Sequence, residues 1–313
     1  MTRVKINAGR GHVDSPAKKL VRLDVFETAR RVLGEDDFLT GNYLGLSSKE
    51  AGDYGTLTGM GVEARQILMC DTDASACADA KARWFPGITV VNTDITEAVK
   101  SKDHSLGIWA MVNYDTCAPL REDTPDTVFT LAQHIQTNGL LCCWFLAGRE
   151  NSSTMDNIKA MEELLQECLT PKTLKALRVP KDVLEERLPY IARSLLMESN
   201  LNTKLAVHQC HTRLLRIWTY MSTDVQEGKV GSPMVVTMCQ IRKGKSKVSR
   251  GLLEDQTITA IQHPHFIVVG DCRQRLGQKA VELMTEGRPA GLLLNSRNSE
   301  AAWRAHATRG TYG

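Results

Sequence analysis

The 313-residue sequence predicts an α/β protein, a doubly wound and mostly parallel seven-stranded sheet with a reversed final strand, plus a small helical C-terminal extension. Three observations lead there. From Val62 onward short apolar runs alternate with helix-like stretches, as in parallel strands joined by crossover helices. The runs give way to polar tips at Asp71, at Asn92-Thr93-Asp94 and at Asn113-Tyr114-Asp115. The last two runs, Leu214 to Met221 and Met234 to Ile241, are joined by about a dozen residues without helical periodicity, which suits an antiparallel hairpin.

Each element has a local cause. The first strand is open between Phe38-Leu39-Thr40 and Tyr43-Leu44-Gly45-Leu46, since Gly41 interrupts them. Ile67-Leu68-Met69-Cys70 is a compact strand ending at Asp71, and the alanine-rich stretch Ala74 to Trp84 is a helix stopped by Pro86-Gly87. Ile88 to Val91 is β-branched, and Leu106 to Val112 is apolar throughout, as a strand covered on both faces should be. Thr127 to Gln136 has helical spacing with a stop at Asn138-Gly139, followed by a strand over Leu140 to Leu146. Asn157 to Leu169 and Val183 to His208 are amphipathic helices. Thr257 to Asp271 is mixed, and helices are expected over Gly277 to Glu286 and Ser299 to His306. The chain thus divides into a helical segment over 1–36, a Rossmann-like domain over 37–243 and a basic extension over 244–313.

Composition narrows the function. With 42% apolar and 24% charged residues the chain is an ordinary globular protein. No run approaches the roughly 18 apolar residues of a membrane span, and the start lacks the apolar stretch of a secretory signal. A cytoplasmic location is expected. Nine cysteines, several inside apolar runs such as Leu141-Cys142-Cys143-Trp144, read as buried thiols in a reducing compartment. No C-x-x-C pair occurs. His208, Cys210 and His211, with His263, His265 and Cys272, match no common metal spacing, so no metal is expected.

In an open parallel sheet, ligands bind beyond the carboxyl ends of the strands, near the point where strand order reverses. Asp71 stands there, a carboxylate able to accept both hydroxyl protons of a ribose; capping the next helix together with Thr72 and Asp73 is its other reading. At this point the chain resembles a class I S-adenosylmethionine-dependent methyltransferase over about Asp37 to Lys243, in layout more than in motif. The resemblance implies S-adenosyl-L-methionine as cofactor. It sets Gly41 to Ser48, including Gly41 and Gly45, in the place of the glycine-rich turn under the methionine part, although the usual G-x-G core is absent. Asp71 and Thr72 match the second-strand acid, Asp94 and Ile95 the acidic position near the adenine, and Asn113 to Leu120 the segment where cofactor meets acceptor.

That fourth segment lacks the acid-or-amide, two-proline, aromatic box of amino-methylating nucleic-acid enzymes, and Cys117 follows Thr116 where a cytosine-carbon enzyme presents Pro-Cys. Methyl transfer from a sulfonium depends mainly on alignment, so no acid–base triad is required. Asp115 is the candidate catalytic base, with helix capping or a cofactor contact as its other roles. The acceptor stays open. A catalytically degenerate Rossmann-like module serving nucleic-acid binding or assembly is the alternative, and the missing glycine core supports it.

Charge is uneven. Ile241 to Gly313 holds twelve Lys and Arg against six Asp and Glu, so this part carries +6 of a chain whose net charge is +3. DNA or RNA is therefore a candidate partner, through Arg242, Lys243, Lys245, Lys247 and Arg250, and through Arg297, Arg304, His306 and Arg309 if the last two helices form a helix-turn-helix. A solvated linker and a helical cap on the sheet are the plainer readings.

Overall fold

The computed structural model describes residues 16–48, 50–84, 86–100, 108–169, 181–222, 232–244 and 266–269. The first half of the chain forms α1 (Pro16–Leu33), α2 (Glu35–Thr40), β1 (Tyr43–Leu46), α3 (Gly52–Gly59), β2 (Ile67–Asp71), α4 (Ala74–Trp84), β3 (Thr89–Asn92), α5 (Ile95–Lys100) and β4 (Trp109–Pro119). The second half forms α6 (Thr124–Ala132), β5 (Ile135–Leu146), α7 (Ser152–Cys168), α8 (Lys181–Leu205), β6 (Cys210–Ser222), β7 (Ser232–Lys243) and β8 (Phe266–Val269).

The strands make one sheet in the order β3-β2-β1-β4-β5-β7-β6-β8. β1 pairs in parallel with β2 and β4, so strand order reverses between β1 and β4. β7 is the reversed strand: it enters by a hairpin from β6 and lies antiparallel to both β5 and β6. The fold is therefore a doubly wound Rossmann-like sheet with the expected reversed strand. β8 is an addition, since Phe266 to Val269 pair in parallel with Ile217 to Tyr220 and bring the sheet to eight strands. The short run Phe-Ile-Val-Val inside a polar stretch was the only trace of it in the sequence.

Both faces are covered, which is why the central strands are apolar without alternation. Leu140, Cys142, Trp144 and Leu146 of β5 join Val25 and Phe26 of α1, Leu57 of α3 and Ala80 of α4 on one face. Leu141, Cys143 and Phe145 join Val99 of α5, Leu131 of α6, Leu165 of α7 and Ile191 of α8 on the other. No helix among the described residues is long and apolar enough to cross a membrane.

Several boundaries differ from expectation. The first strand is Tyr43–Leu46; Phe38 instead sits in α2 as a buried side chain, and the Tyr43 hydroxyl donates to its carbonyl at 2.6 Å. Asn138-Gly139 does not stop a helix. α6 ends at Ala132, and β5 already begins at Ile135, with Asn138 at a φ of 68° inside an irregular stretch of the β4–β5 pairing. β4 runs on past Val112 to Pro119, with a second irregularity between Asp115 and Ala118. The expected helices over 277–286 and 299–306 lie outside the described residues.

Candidate functional site

The candidate site is the rim formed by the carboxyl ends of β1 to β5. Parallel pairing sets Asp71 of β2 opposite Asn92 of β3, and the Asn92 amide donates to the Asp71 carbonyl at 2.9 Å. Asp94 follows two residues later on the same rim. The buried Cys70 thiol is pushed up by burial, and then by the carboxylates of Asp94 and Asp71. The two acids thus share one neighbourhood.

The capping role foreseen for Asp71 falls to Asp73, whose Oδ1 accepts the backbone N–H of Ser75 at 2.8 Å and of Ala76 at 3.4 Å. Asp71 is half-buried and its Oδ1 accepts the Asp73 N–H at 2.9 Å. Thr72 beside it is exposed. Asp94 is exposed and caps α5, its Oδ1 accepting the N–H of Thr96 at 2.8 Å and the Thr96 hydroxyl at 2.6 Å. Ile95 departs from its expected role: its side chain is 2% exposed in the core under α5, leaving only its backbone at the rim.

Around β1 the expectation is corrected further. Gly41 precedes β1 and lies at the opposite, amino end of the sheet, where a Cβ would stand 2.6 Å from the Ala110 Cβ and 2.7 Å from the Asp37 carbonyl oxygen. Its glycine answers a backbone crossing, not a cofactor. Gly45 lies within β1, so the segment that follows begins Ser47-Ser48 and its sequence contains no glycine before Gly52. A Cβ on Gly45 would meet the Asp53 Oδ2 at 3.3 Å, which brings that carboxylate against the strand.

Asp53 anchors a network absent from the expectations. Its Oδ1 accepts Arg22 Nε at 2.7 Å and its Oδ2 accepts Asn113 Nδ2 at 2.6 Å. Asn113 in turn accepts the Trp144 indole N–H at 2.7 Å. Lys18 Nζ stands 2.6 Å from the Asp115 Oδ2 and 5.8 Å from the Trp144 ring centre. Burial pushes the Asp53 carboxyl up, and the Arg22 guanidinium and Asn113 amide pull it back. Both ends of this network lie on α1, because Lys18 and Arg22 are one turn apart.

This changes the role of Asp115. It lies inside β4 with Trp144 opposite, it is held by a buried ammonium, and it is a fixed anion, not an open base. Asn113 likewise is committed to Asp53 and Trp144. Cys117 lies in β4 within the irregular stretch. The sequence signal for Lys18 and Arg22 was present in α1, where Lys18, Val21, Arg22 and Val25 recur at helical spacing, putting cations on the stripe that packs inward.

The basic candidates lie elsewhere. Arg242 and Lys243 end the reversed strand β7 opposite His211 and Cys210, at the amino rim of the sheet. Arg242 donates twice to the Gln240 side-chain oxygen, at 2.9 and 2.8 Å. Lys245, Lys247, Arg250, Arg297, Arg304, His306 and Arg309 lie outside the described residues, as do His263, His265 and Cys272. His208 stacks near Phe129, His211 meets the Gly244 carbonyl at 3.2 Å, and no metal-holding group of three His, Cys, Asp or Glu occurs among the described residues.

No protein-family model matches the chain, and no curated protein matches it. Solved structures do. Magnesium protoporphyrin IX methyltransferase from Synechocystis, solved with bound SAH, is 10% identical over 73% of this chain and 85% of that one, with a TM-score of 0.40. The N-methyltransferase NodS from Bradyrhizobium japonicum is 12% identical over 73% and 89%, with a TM-score of 0.37. A TehB-like SAM-dependent methyltransferase from Corynebacterium glutamicum is 15% identical over 72% and 86%, with a TM-score of 0.35. At such scores the likeness carries no weight for the site, which stands on strand order and side chains alone.

Proposed function

We propose that this chain is an S-adenosylmethionine-dependent methyltransferase whose cofactor lies across the tips of β2 and β3. One observation carries the reading: Asp71 ends β2 and Asp94 follows the end of its parallel neighbour β3 by two residues, on one rim beside the point where strand order reverses. Asp71 accepts the ribose hydroxyls and Asp94 stands at the adenine edge, with Thr72 and the Ile95 backbone beside them. Bound there, the cofactor supplies an electrophilic methyl group. The chain's own part is alignment: the network of Asp53, Asn113 and Trp144 fixes the β1–β4 corner, and Lys18 holds Asp115 in one position.

Calorimetry tests this. S-adenosylmethionine or S-adenosylhomocysteine should bind, and Asp71→Ala should weaken binding at least tenfold by removing a charge-assisted pair of hydrogen bonds. Silence with both ligands would favour the second reading, a degenerate Rossmann-like module for assembly or nucleic-acid binding. That reading draws on the pairs Lys18–Asp115 and Arg22–Asp53, whose side chains fill the β1–β4 corner, and on the absence of a glycine core.

We further propose nucleic acid as a partner of the basic segment starting at Arg242, supported by the +6 carried from Ile241 onward. A cytoplasmic location is proposed as well; Cys70, Cys77, Cys142, Cys143, Cys210 and Cys239 are free thiols, which accords with a reducing compartment.

A further inference from the structure

We infer that a hollow at the carboxyl ends of β4 and β5 binds a nucleotide-type ligand, one phosphate group joined to a part that donates hydrogen bonds; on the methyl-transfer reading, that ligand is the acceptor. The hollow has a volume of about 420 Å³ and is lined by Pro119, Arg121, Glu122, Asp123, Arg149 and Asn151. That is the size of a small-molecule site. It opens four residues beyond Asp115 along β4, on the rim that carries Asp71 and Asp94.

Two guanidiniums come to it from successive connections, Arg121 between β4 and α6 and Arg149 between β5 and α7. Both are exposed. Guanidinium forks match phosphate oxygens and stay charged at every working pH. Arg149 also sits on a pinned turn. Its neighbour Glu150 is spent on Arg193 at 2.6 and 3.2 Å and on the Gly148 N–H at 2.8 Å, so the loop is fixed before any ligand arrives.

Glu122 and Asp123 decide what accompanies the phosphate. Their carboxylates repel a bare anion in the same hollow and accept hydrogen bonds from hydroxyl or amino groups. A ribose or base bearing a phosphate satisfies both signs, which inorganic phosphate and an uncharged nucleoside do not.

Calorimetry of the full chain with uridine monophosphate tests this, because that probe lacks the adenine expected at the β2–β3 tips. It should bind, uridine should bind at least tenfold more weakly, and Arg121→Ala and Arg149→Ala should each weaken the nucleotide about tenfold. Both side chains are exposed, so circular dichroism should be unchanged. S-adenosylhomocysteine should neither displace the nucleotide nor lose affinity in these variants. Absence of nucleotide binding at millimolar concentration, equal affinity for uridine, indifference to both substitutions, or displacement by S-adenosylhomocysteine each overturns the inference. Nucleotide binding without S-adenosylhomocysteine binding keeps this site and overturns the methyl-transfer reading; the reverse keeps that reading and overturns this site. Competition by a 5′-phosphorylated oligouridylate assigns the phosphate to a nucleic-acid end, and failure to compete assigns it to a free nucleotide.

Discussion

Glu198 of α8 is a carboxyl group in the apolar layer between that helix and β6, accepting the Thr212 hydroxyl at 2.9 Å. Burial pushes its pKa up from 4.5 to about 7, while the bond from Thr212 pulls the other way. Folding therefore takes up a proton between those two values. Stability is greatest below pH 4.5 as far as this group is concerned, falls as pH rises toward 7, and is flat above it, a loss of about 3 kcal/mol. Glu198→Gln keeps an acceptor for Thr212 without the charge. Urea midpoints should converge for the two proteins near pH 5 and favour the variant at pH 8; parallel pH profiles would remove the assignment. Lys18 and Asp115 make a second residue-scale case, since each side chain is only about a tenth exposed, 11% and 9%. Lys18→Met removes the buried cation paired with that carboxylate and should cost roughly 3 kcal/mol, whereas Lys18→Met with Asp115→Leu should regain most of it. Additive losses in urea unfolding would show that the two groups are not coupled.

At the scale of elements, α1 closes the β1–β4 corner: a helical segment was expected there, but its polar partners were not. Besides Lys18 and Arg22, it offers Asp24, which accepts from Trp218 Nε1 at 2.7 Å and Arg216 Nη1 at 3.2 Å, and Thr28, which accepts from Arg216 at 2.7 Å. Periodicity reports that a helix exists and which stripe is apolar, but not that polar residues on the stripe meet partners some 190 positions away. β2 and α4 were legible to the residue because Ile67 to Cys70 is a fully covered strand and Ala76, Cys77 and Ala80 let a helix approach it closely. β1 was ambiguous because Phe38 and Tyr43 enter the same core by different routes, one from a helix and one from a strand. Asp71 and Asp94 were readable as strand-tip acids from local pattern alone. Asp53 was not, because its meaning comes from Arg22, Gly45 and Asn113, which only the assembled sheet brings to it. By the same logic, Trp144→Phe should leave the apolar packing of β5 intact, yet orphan the buried Asn113 carbonyl. A loss of 1 to 3 kcal/mol is expected in urea unfolding, and an unchanged midpoint would make the indole bond dispensable.

At the scale of the whole molecule, the length of the sheet separates the Asp71–Asp94 rim from Arg242 and Lys243. Between Lys243 at the amino rim and Met234, opposite Leu146 near the other rim, β7 spans nine steps, roughly 30 Å at about 3.3 Å per residue. Charges that far apart, with a Debye length near 8 Å at physiological salt, do not couple appreciably through solvent. Truncating the basic extension would be a poor test of its role, since β8 belongs to the sheet and pairs with β6. Reversing charge at Lys245, Lys247 and Arg250 leaves every described strand intact. The triple substitution to Glu should lower retention on immobilised RNA and flatten its salt dependence, through loss of counterion-releasing phosphate contacts. Binding of S-adenosylhomocysteine should stay within twofold, as expected if the basic segment takes no part in the Asp71–Asp94 rim. Retention equal to that of the parent would remove nucleic acid as a partner of this segment. A matching fall in cofactor affinity would instead place both ligands on one surface, against the separation of the rims.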